Sequence, residues 1–272
     1  MHLYKALFLL CAASADLYAH PTWLLGSVRH NGVDSELNLA LTTGNAFPKL
    51  GLGNNPANLL RASVISGDSA TALLTHDAAT QALLFKAQTN SDSAVLALVQ
   101  LKPALVELDA ANVAIYVRDL GGALAISRRY KAQGQWRERY SKSAKIWIRV
   151  GTADAPRALL APMNLPYELV PSSDPSQLQA GDTLGICAYA NGVARAQAYI
   201  GMITADGQKT FARADRSGCT HFRLKSASGY LVHSIDIKES TLPALEWESQ
   251  FASFTVLDST PKTPASAAIS TP

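Results

Sequence analysis

From Trp23 onward, short apolar runs alternate with turn-forming clusters, and the spacing that recurs is two rather than 3.6. TWLLGSVRH and SELNLALTTG flank Asn31-Gly32, a pair suited to the positive φ angles of a tight hairpin. Apolar pieces around Ala62 to Ile65, Ala82 to Phe85 and Val95 to Leu101 predict further strands, because Gly-Asp, His-Asp and Asn-Ser-Asp clusters separate them. The pattern changes once. After Asp109, whose carboxylate can cap a first helical turn, Val113, Ile115, Tyr116, Val117 and Leu120 fall near helical spacing up to Gly121-Gly122. A second helical stretch is expected over ALAISRRYKAQGQWRERYSKSAK, divided at Gly134, with its Arg128, Arg129, Lys131, Arg137 and Arg139 forming a solvated face. KIWIRVG then reads as a strand, since Ile146, Ile148 and Val150 alternate with Lys145, Trp147 and Arg149.

Pro156, Pro162, Pro166, Pro171 and Pro175 punctuate the next stretch, and the boundary between two units is expected there. Beyond it, DTLGICAYANG, ARAQAYIGMITADGQKTF, CTHFRLKSASGYLVHSIDIK and WESQFASFTVL read as strands joined at Asn191-Gly192, Asp206-Gly207 and Ser228-Gly229. The expected fold is mainly β with a short helical insert. A β-sandwich N-terminal domain over 20–160 precedes an immunoglobulin/transthyretin-like β-sandwich over 161–257.

The two ends of the chain refine this. Residues 1–19 carry one cation, Lys5, an apolar run from Ala6 to Ala13, and small Ala19, the pattern of a signal peptide cut so that His20 becomes the first residue. That run is well below the ~20 residues of a membrane-spanning helix, and no later stretch is long and apolar enough to cross. Residues 258–272, rich in Pro, Thr, Ser and Ala, read as a disordered tail. These features imply a periplasmic or secreted location. The net charge of +3 is unchanged by removing Lys5 and Asp16 with the leader, and so small an excess argues against a nucleic-acid surface. With Cys11 gone, Cys187 and Cys219 remain as an even pair, read as a disulfide in an oxidising compartment.

AHPTWLL at 19–25, RERYSKSAKIWIRVG at 137–151, LPYELVPSSDPSQLQAGDTL at 165–184, GYLVHS at 229–234 and WESQFASFTV at 247–256 succeed one another as in a bacterial family catalogued as domain of unknown function 4198, which the chain resembles. Members are often described as nickel-uptake substrate-specific regions. The resemblance implies a periplasmic protein with a β-sandwich C-terminal part, sometimes encoded with nickel or cobalt importers. This chain departs from the pattern in reading Gly44-Asn45-Ala46-Phe47-Pro48 where members often carry a His, and the C-terminal membrane helix of many members is not expected here.

Cleavage before His20 creates an α-amine and an imidazole on one residue, and both can be unprotonated near neutral pH. Such a nitrogen chelate suits Cu(II), Ni(II) and Co(II). Pro21 has no backbone N–H to give up, so it supplies no amide nitrogen and further ligands must come from the fold. Histidine candidates are His30, His76, His221 and His233, with Asp236, Glu246 and Glu248 as carboxylates. His233, in GYLVHS, is the first choice, with Asp236 or Glu248 completing a site. It also shares strand parity with Leu231, Ile235 and Ile237, which equally fits a hydrogen-bonded core histidine. His221 pairs in parity with Cys219 and Arg223, and His30 and His76 adjoin turns, so these read as surface residues. Trp23, Trp147 and Trp247 read as core.

No Gly-x-Ser-x-Gly turn, His-Glu-x-x-His helix, Gly-Lys phosphate loop or Gly-x-Gly-x-x-Gly stands in the chain, so no catalytic centre is expected. The expected function is a periplasmic transition-metal (nickel, cobalt or copper) binding or uptake accessory protein that serves an envelope metal transporter. The alternative is a non-catalytic module for envelope protein or glycan contacts. An oxidative copper enzyme acting on polysaccharide ranks third.

Overall fold

The structure, a computed structural model, describes residues 20–31, 34–67, 69–225 and 229–257. The expected leader and tail lie outside them. In chain order the strands of the first half are β1 (Thr22–Asn31), β2 (Asp34–Thr43), β3 (Leu52–Gly53), β4 (Leu59–Ser66), β5 (Ser69–Ala72), β6 (Leu74–Ala78), β7 (Leu83–Thr89), β8 (Ala94–Leu101) and β9 (Ala104–Glu107). Two helices come next, α1 (Ala110–Asp119) and α2 (Leu124–Gln133), and then the long strand β10 (Arg137–Arg149). The remaining strands are β11 (Glu168–Pro171), β12 (Thr183–Ala190), β13 (Val193–Ala194), β14 (Tyr199–Thr204), β15 (Lys209–Arg213), β16 (Cys219–Arg223), β17 (Tyr230–Glu239) and β18 (Trp247–Val256).

The strands form three layers. The central one is a nine-stranded sheet in the order β15-β14-β17-β18-β10-β8-β4-β5, with β9 on the end of β10. β10 and β18 run parallel, with Glu138 opposite Trp247 and Trp147 opposite Val256, so this sheet joins strands from both sides of residue 160. On one face lies the sheet β1-β2-β7-β6 with β3. Leu24, Leu37, Leu39 and Leu83 pack there against Val95, Ala97, Ala144, Ile146 and Ile148 of the central sheet. On the other face lies β11-β12-β13 with β16, whose Leu169, Leu184, Ile186 and Phe222 meet Leu96, Leu98, Trp147, Val232 and Phe254. Successive side chains of a strand point to opposite faces, which explains why β10 and β8 are buried almost throughout: each face has a sheet against it. This is a mainly β structure of stacked sheets with a short helical insert, as expected.

Asp109 caps α1 by accepting a hydrogen bond at 2.9 Å from the amide of Asn112. α2 ends at Gly134, whose φ of 69° closes the last turn, so the helical stretch expected to run on to Lys145 stops at Gln133. From Trp136 onward, buried Glu138, half-buried Tyr140 and buried Lys142, Ala144 and Ile146 recur every second residue, so strand geometry begins at Arg137 rather than at Lys145. The helices cover the end of the central sheet that the β1 sheet leaves open, through Val113, Tyr116, Trp136, Trp247 and Phe251.

Two buried polar clusters tie the layers together. The Glu138 carboxylate accepts hydrogen bonds from Tyr116 Oη (2.8 Å), Trp136 Nε1 (2.6 Å) and Ser249 Oγ, and so joins α1 to two strands of the sheet. On the opposite face Lys145 Nζ meets Glu168 Oε2 at 2.9 Å, and Glu168 also accepts from the amides of Met163 and Leu165. Cys187 and Cys219 stand opposite each other on β12 and β16 and form the expected disulfide, with Cα atoms 4.0 Å apart. Disulfides are typical of extracytoplasmic proteins. Among the described residues no helix is long and apolar enough to cross a membrane.

Candidate functional site

The chain just after His20 and the side chain of His233 meet on one side of the central sheet. β1 enters across β18: Ser253 Oγ donates to the Thr22 carbonyl at 2.5 Å, and Lys142 Nζ donates to the His20 carbonyl at 2.9 Å. His233 is the direct cross-strand partner of Ser253, and directly opposed residues share a face. Pro21, Thr22, Lys142, His233, Phe251 and Ser253 therefore line a common cavity of about 10 Å³, which Asp119 at the end of α1 also lines. A void of this size holds about one water or one ion and no organic ligand.

The imidazole of His233 is buried, and its Nε2 has no hydrogen-bond partner among the described residues. The ring lies over Gly201 of β14, where a Cβ would stand 2.5 Å from Nε2, and it meets the Phe211 ring edge-on with centroids 5.9 Å apart. Burial, with the Lys209 charge adding to it, lowers its pKa to about 4, so the ring is neutral around pH 7. Lys142 is buried too. Its ammonium sits 5.1 Å from the Phe251 ring centroid and 5.4 Å from that of Tyr140, and burial lowers its pKa to about 7 against the pull of Glu138.

Asp236 and Glu248, the carboxylates expected beside His233, lie on the other face of the sheet. Three residues along a strand invert the side-chain direction, so Asp236 points away from His233, and Glu248, five residues from Ser253, does the same. Asp236 pairs with Arg195 at 2.8 Å, and Glu248 pairs with Arg139 and with Lys238 at 3.3 Å. These two acids share a polar cleft of about 180 Å³ with Arg139, Lys238 and Gln250. Glu246 is held by Arg137 at 2.7 Å. His221 is exposed, as its parity indicates, and His30 is an exposed residue whose Nδ1 lies 2.9 Å from Ser35 Oγ. His76 lies on β6, and its side chain is outside the described residues.

Sequence reasoning passed over Asp119 and Lys142. Lys142 carried a signal, since it stands at the parity of Ala144 and Ile146, where a charged residue is out of place. Asp119 carried none, because only the folding of α1 over the sheet brings it to the cavity. Among the described residues no group of three His, Cys, Asp or Glu side chains is preassembled at metal-binding distance.

The chain belongs to the family described as domain of unknown function (DUF4198), whose sequence model matches residues 17–235. No curated protein matches it.

Proposed function

We propose that the protein is a metal-binding component of the cell envelope that holds one divalent transition-metal ion, nickel, cobalt or copper, between His20, as its first mature residue, and His233. The observation that carries this is the shared cavity: the chain immediately after His20 and the buried imidazole of His233 line one void of single-ion size. A ligand histidine must be neutral, and burial keeps His233 so. The residues that would hold the ion are His20, through its amine and imidazole, and His233. Lys142, by gripping the His20 carbonyl, fixes the start of the chain against the sheet. An ion held this way is cargo or reserve for an envelope metal transporter rather than a reaction centre, and the disulfide fits a periplasmic or secreted setting.

The polar cleft of Arg139, Asp236, Lys238 and Glu248 favours a second reading, a non-catalytic surface for envelope protein or glycan contacts. Binding measurements on exported, naturally processed protein separate the two. Metal binding predicts one ion per chain, weakened by His20→Ala and by His233→Ala and indifferent to His30→Ala. Equal titration curves for all four proteins would leave the contact surface as the function.

A further inference from the structure

The face of the central sheet that packs against β11 and β12 changes from apolar to polar toward one end. Trp147, Val232 and Phe254 lie in the core there, and Ser234, two residues on from Val232, meets the Tyr167 hydroxyl at 2.7 Å. Beyond Ser234 come two cross-strand rows on the same face: Ser141, Gln250 and Asp236, then Arg139, Glu248 and Lys238. All of these except Ser141 line the cleft of about 180 Å³. Its polar groups are held in place by one another. Glu248, with a side chain only 10% exposed, lies between Arg139 and Lys238, and each cation keeps further N–H groups beyond the one it gives to Glu248. Asp236 is fixed through Oδ1, which accepts from Arg195 Nε at 2.9 Å and Nη2 at 2.8 Å, while its Oδ2 accepts no hydrogen bond among the described residues. Gln250 is fixed through Oε1, which accepts from Ser141 Oγ and leaves the N–H groups of Nε2 to give.

We infer that this cleft binds one neutral sugar ring, a terminal hexopyranose that presents two neighbouring hydroxyls to Asp236 and Gln250. This rests on the second reading above, glycan contact through the cleft, and is independent of metal binding. A hydroxyl both donates and accepts, so a vicinal pair can donate to Asp236 Oδ2 and accept from Gln250 Nε2, which stand directly opposite each other on β17 and β18. Further hydroxyls can accept from Arg139 and Lys238. A charged ligand would have to pull Arg139 from Glu248 or Arg195 from Asp236, whereas a neutral polyol uses only the lone pairs and N–H groups that remain and leaves both ion pairs in place. Side chains already fixed by their partners lose little freedom when the ring enters. The apolar C–H face of a sugar also has a place to rest. Pro103 lines the cleft, and Leu105, opposite Arg139 on β9, is 67% exposed beside it. The volume lies below the roughly 300–1,000 Å³ of sites for drug-sized ligands, which suits a single ring.

The test titrates the protein with the methyl pyranosides of glucose, mannose and galactose and follows its backbone amide and side-chain NH2 resonances by NMR. At least one sugar is expected to bind with a dissociation constant of about 1 mM, the strength of a ligand of roughly a dozen heavy atoms. Shifts should centre on the Gln250 NH2 and on β10, β17 and β18. Asp236→Asn and Gln250→Met should each weaken that sugar at least about tenfold, and Arg128→Met on α2 should not. The same glycoside with every hydroxyl methylated should not bind. Melting curves of the variants report their folding independently. Sugar binding that both cleft variants leave unchanged overturns the cleft as the site and keeps glycan contact as a function. An array of longer oligosaccharides, read in parallel, separates the remaining failures. Binding to the array but to none of the three pyranosides overturns the single-ring site alone, and silence in both overturns glycan contact with it.

Discussion

Gly201 and His233 face each other across β14 and β17, and the imidazole occupies the space that a side chain at Gly201 would need, Nε2 lying 2.5 Å from the Cβ position. The Phe211 ring, opposite Gly201 on β15, would stand 2.7 Å from the same Cβ, so the two rings leave little room to yield. Gly201→Ala should therefore lower stability by about 1–3 kcal/mol, the usual penalty for overpacking. In Gly201→Ala/His233→Ala the loss should fall short of the sum of the two single losses, because the clash with the imidazole is gone. Urea denaturation of the four proteins of this cycle measures the difference, and strict additivity would contradict the placement of the ring.

Lys145 and Glu168 form an ion pair with both side chains almost fully buried between the central sheet and β11. Glu168→Gln leaves an ammonium without its counter-charge and should cost about 3–5 kcal/mol. Combining it with Lys145→Met should recover most of that loss, since an apolar pair of similar size needs no compensation. A double variant as unstable as Glu168→Gln alone would contradict the pairing.

Burial lowers the pKa of both Lys142, to about 7, and Lys145, in each case against the attraction of a nearby glutamate. The unfolded chain, with lysines near 10.5, then binds more protons than the folded one above pH 7, and stability should rise with pH. The rise should amount to roughly 2–3 kcal/mol between about pH 7 and 9.5. Nearer pH 10 the sign reverses, because burial holds Tyr116 and Tyr167 protonated beyond the point at which the unfolded chain loses those protons. Urea midpoints across this range give the slope. It should flatten in Lys142→Met and persist in Arg128→Met, and a falling midpoint from pH 7 would refute the burial of both ammonium groups.

The disulfide joins residues 32 positions apart, so it restricts a loop of that length in the unfolded chain. Replacing both cysteines by serine should lower stability by about 3–4 kcal/mol. Reductant should lower the melting temperature of the parent but leave that of the double variant unmoved.

Local signals predicted what local physics determines. The hairpin of β1 and β2, the Asp109 cap and the alternation of Ile146 and Ile148 all depend on neighbours in sequence, and each is found where the pattern places it. The parallel pairing of β10 with β18 matches residues 109 positions apart, such as Arg139 with Glu248, and no local period reports it. For that reason the strands after residue 160 read as a sandwich of their own, whereas four of them continue the sheet begun before it. In RERYSKSAK the charges masked a period of two, because Glu138, Lys142 and Lys145 are buried through partners that come from elsewhere in the chain. His20 and His233 are singled out by chemistry alone, and of the two only His233 lines the cavity. The opposite facing of Asp236 was also open to reading, as three is an odd number of residues along a strand.

The most direct measurement is the Cu(II) binding isotherm of the mature chain, compared with the same chain after acetylation of the His20 amine. Acetylation leaves every side chain and both sheets intact and removes one donor from the chelate. If the amine and imidazole of His20 anchor the ion, the untreated chain binds one Cu(II) and the acetylated chain binds it at least tenfold more weakly, about 1.4 kcal/mol. Identical isotherms, or no binding by either form, would contradict a metal site at the start of the chain.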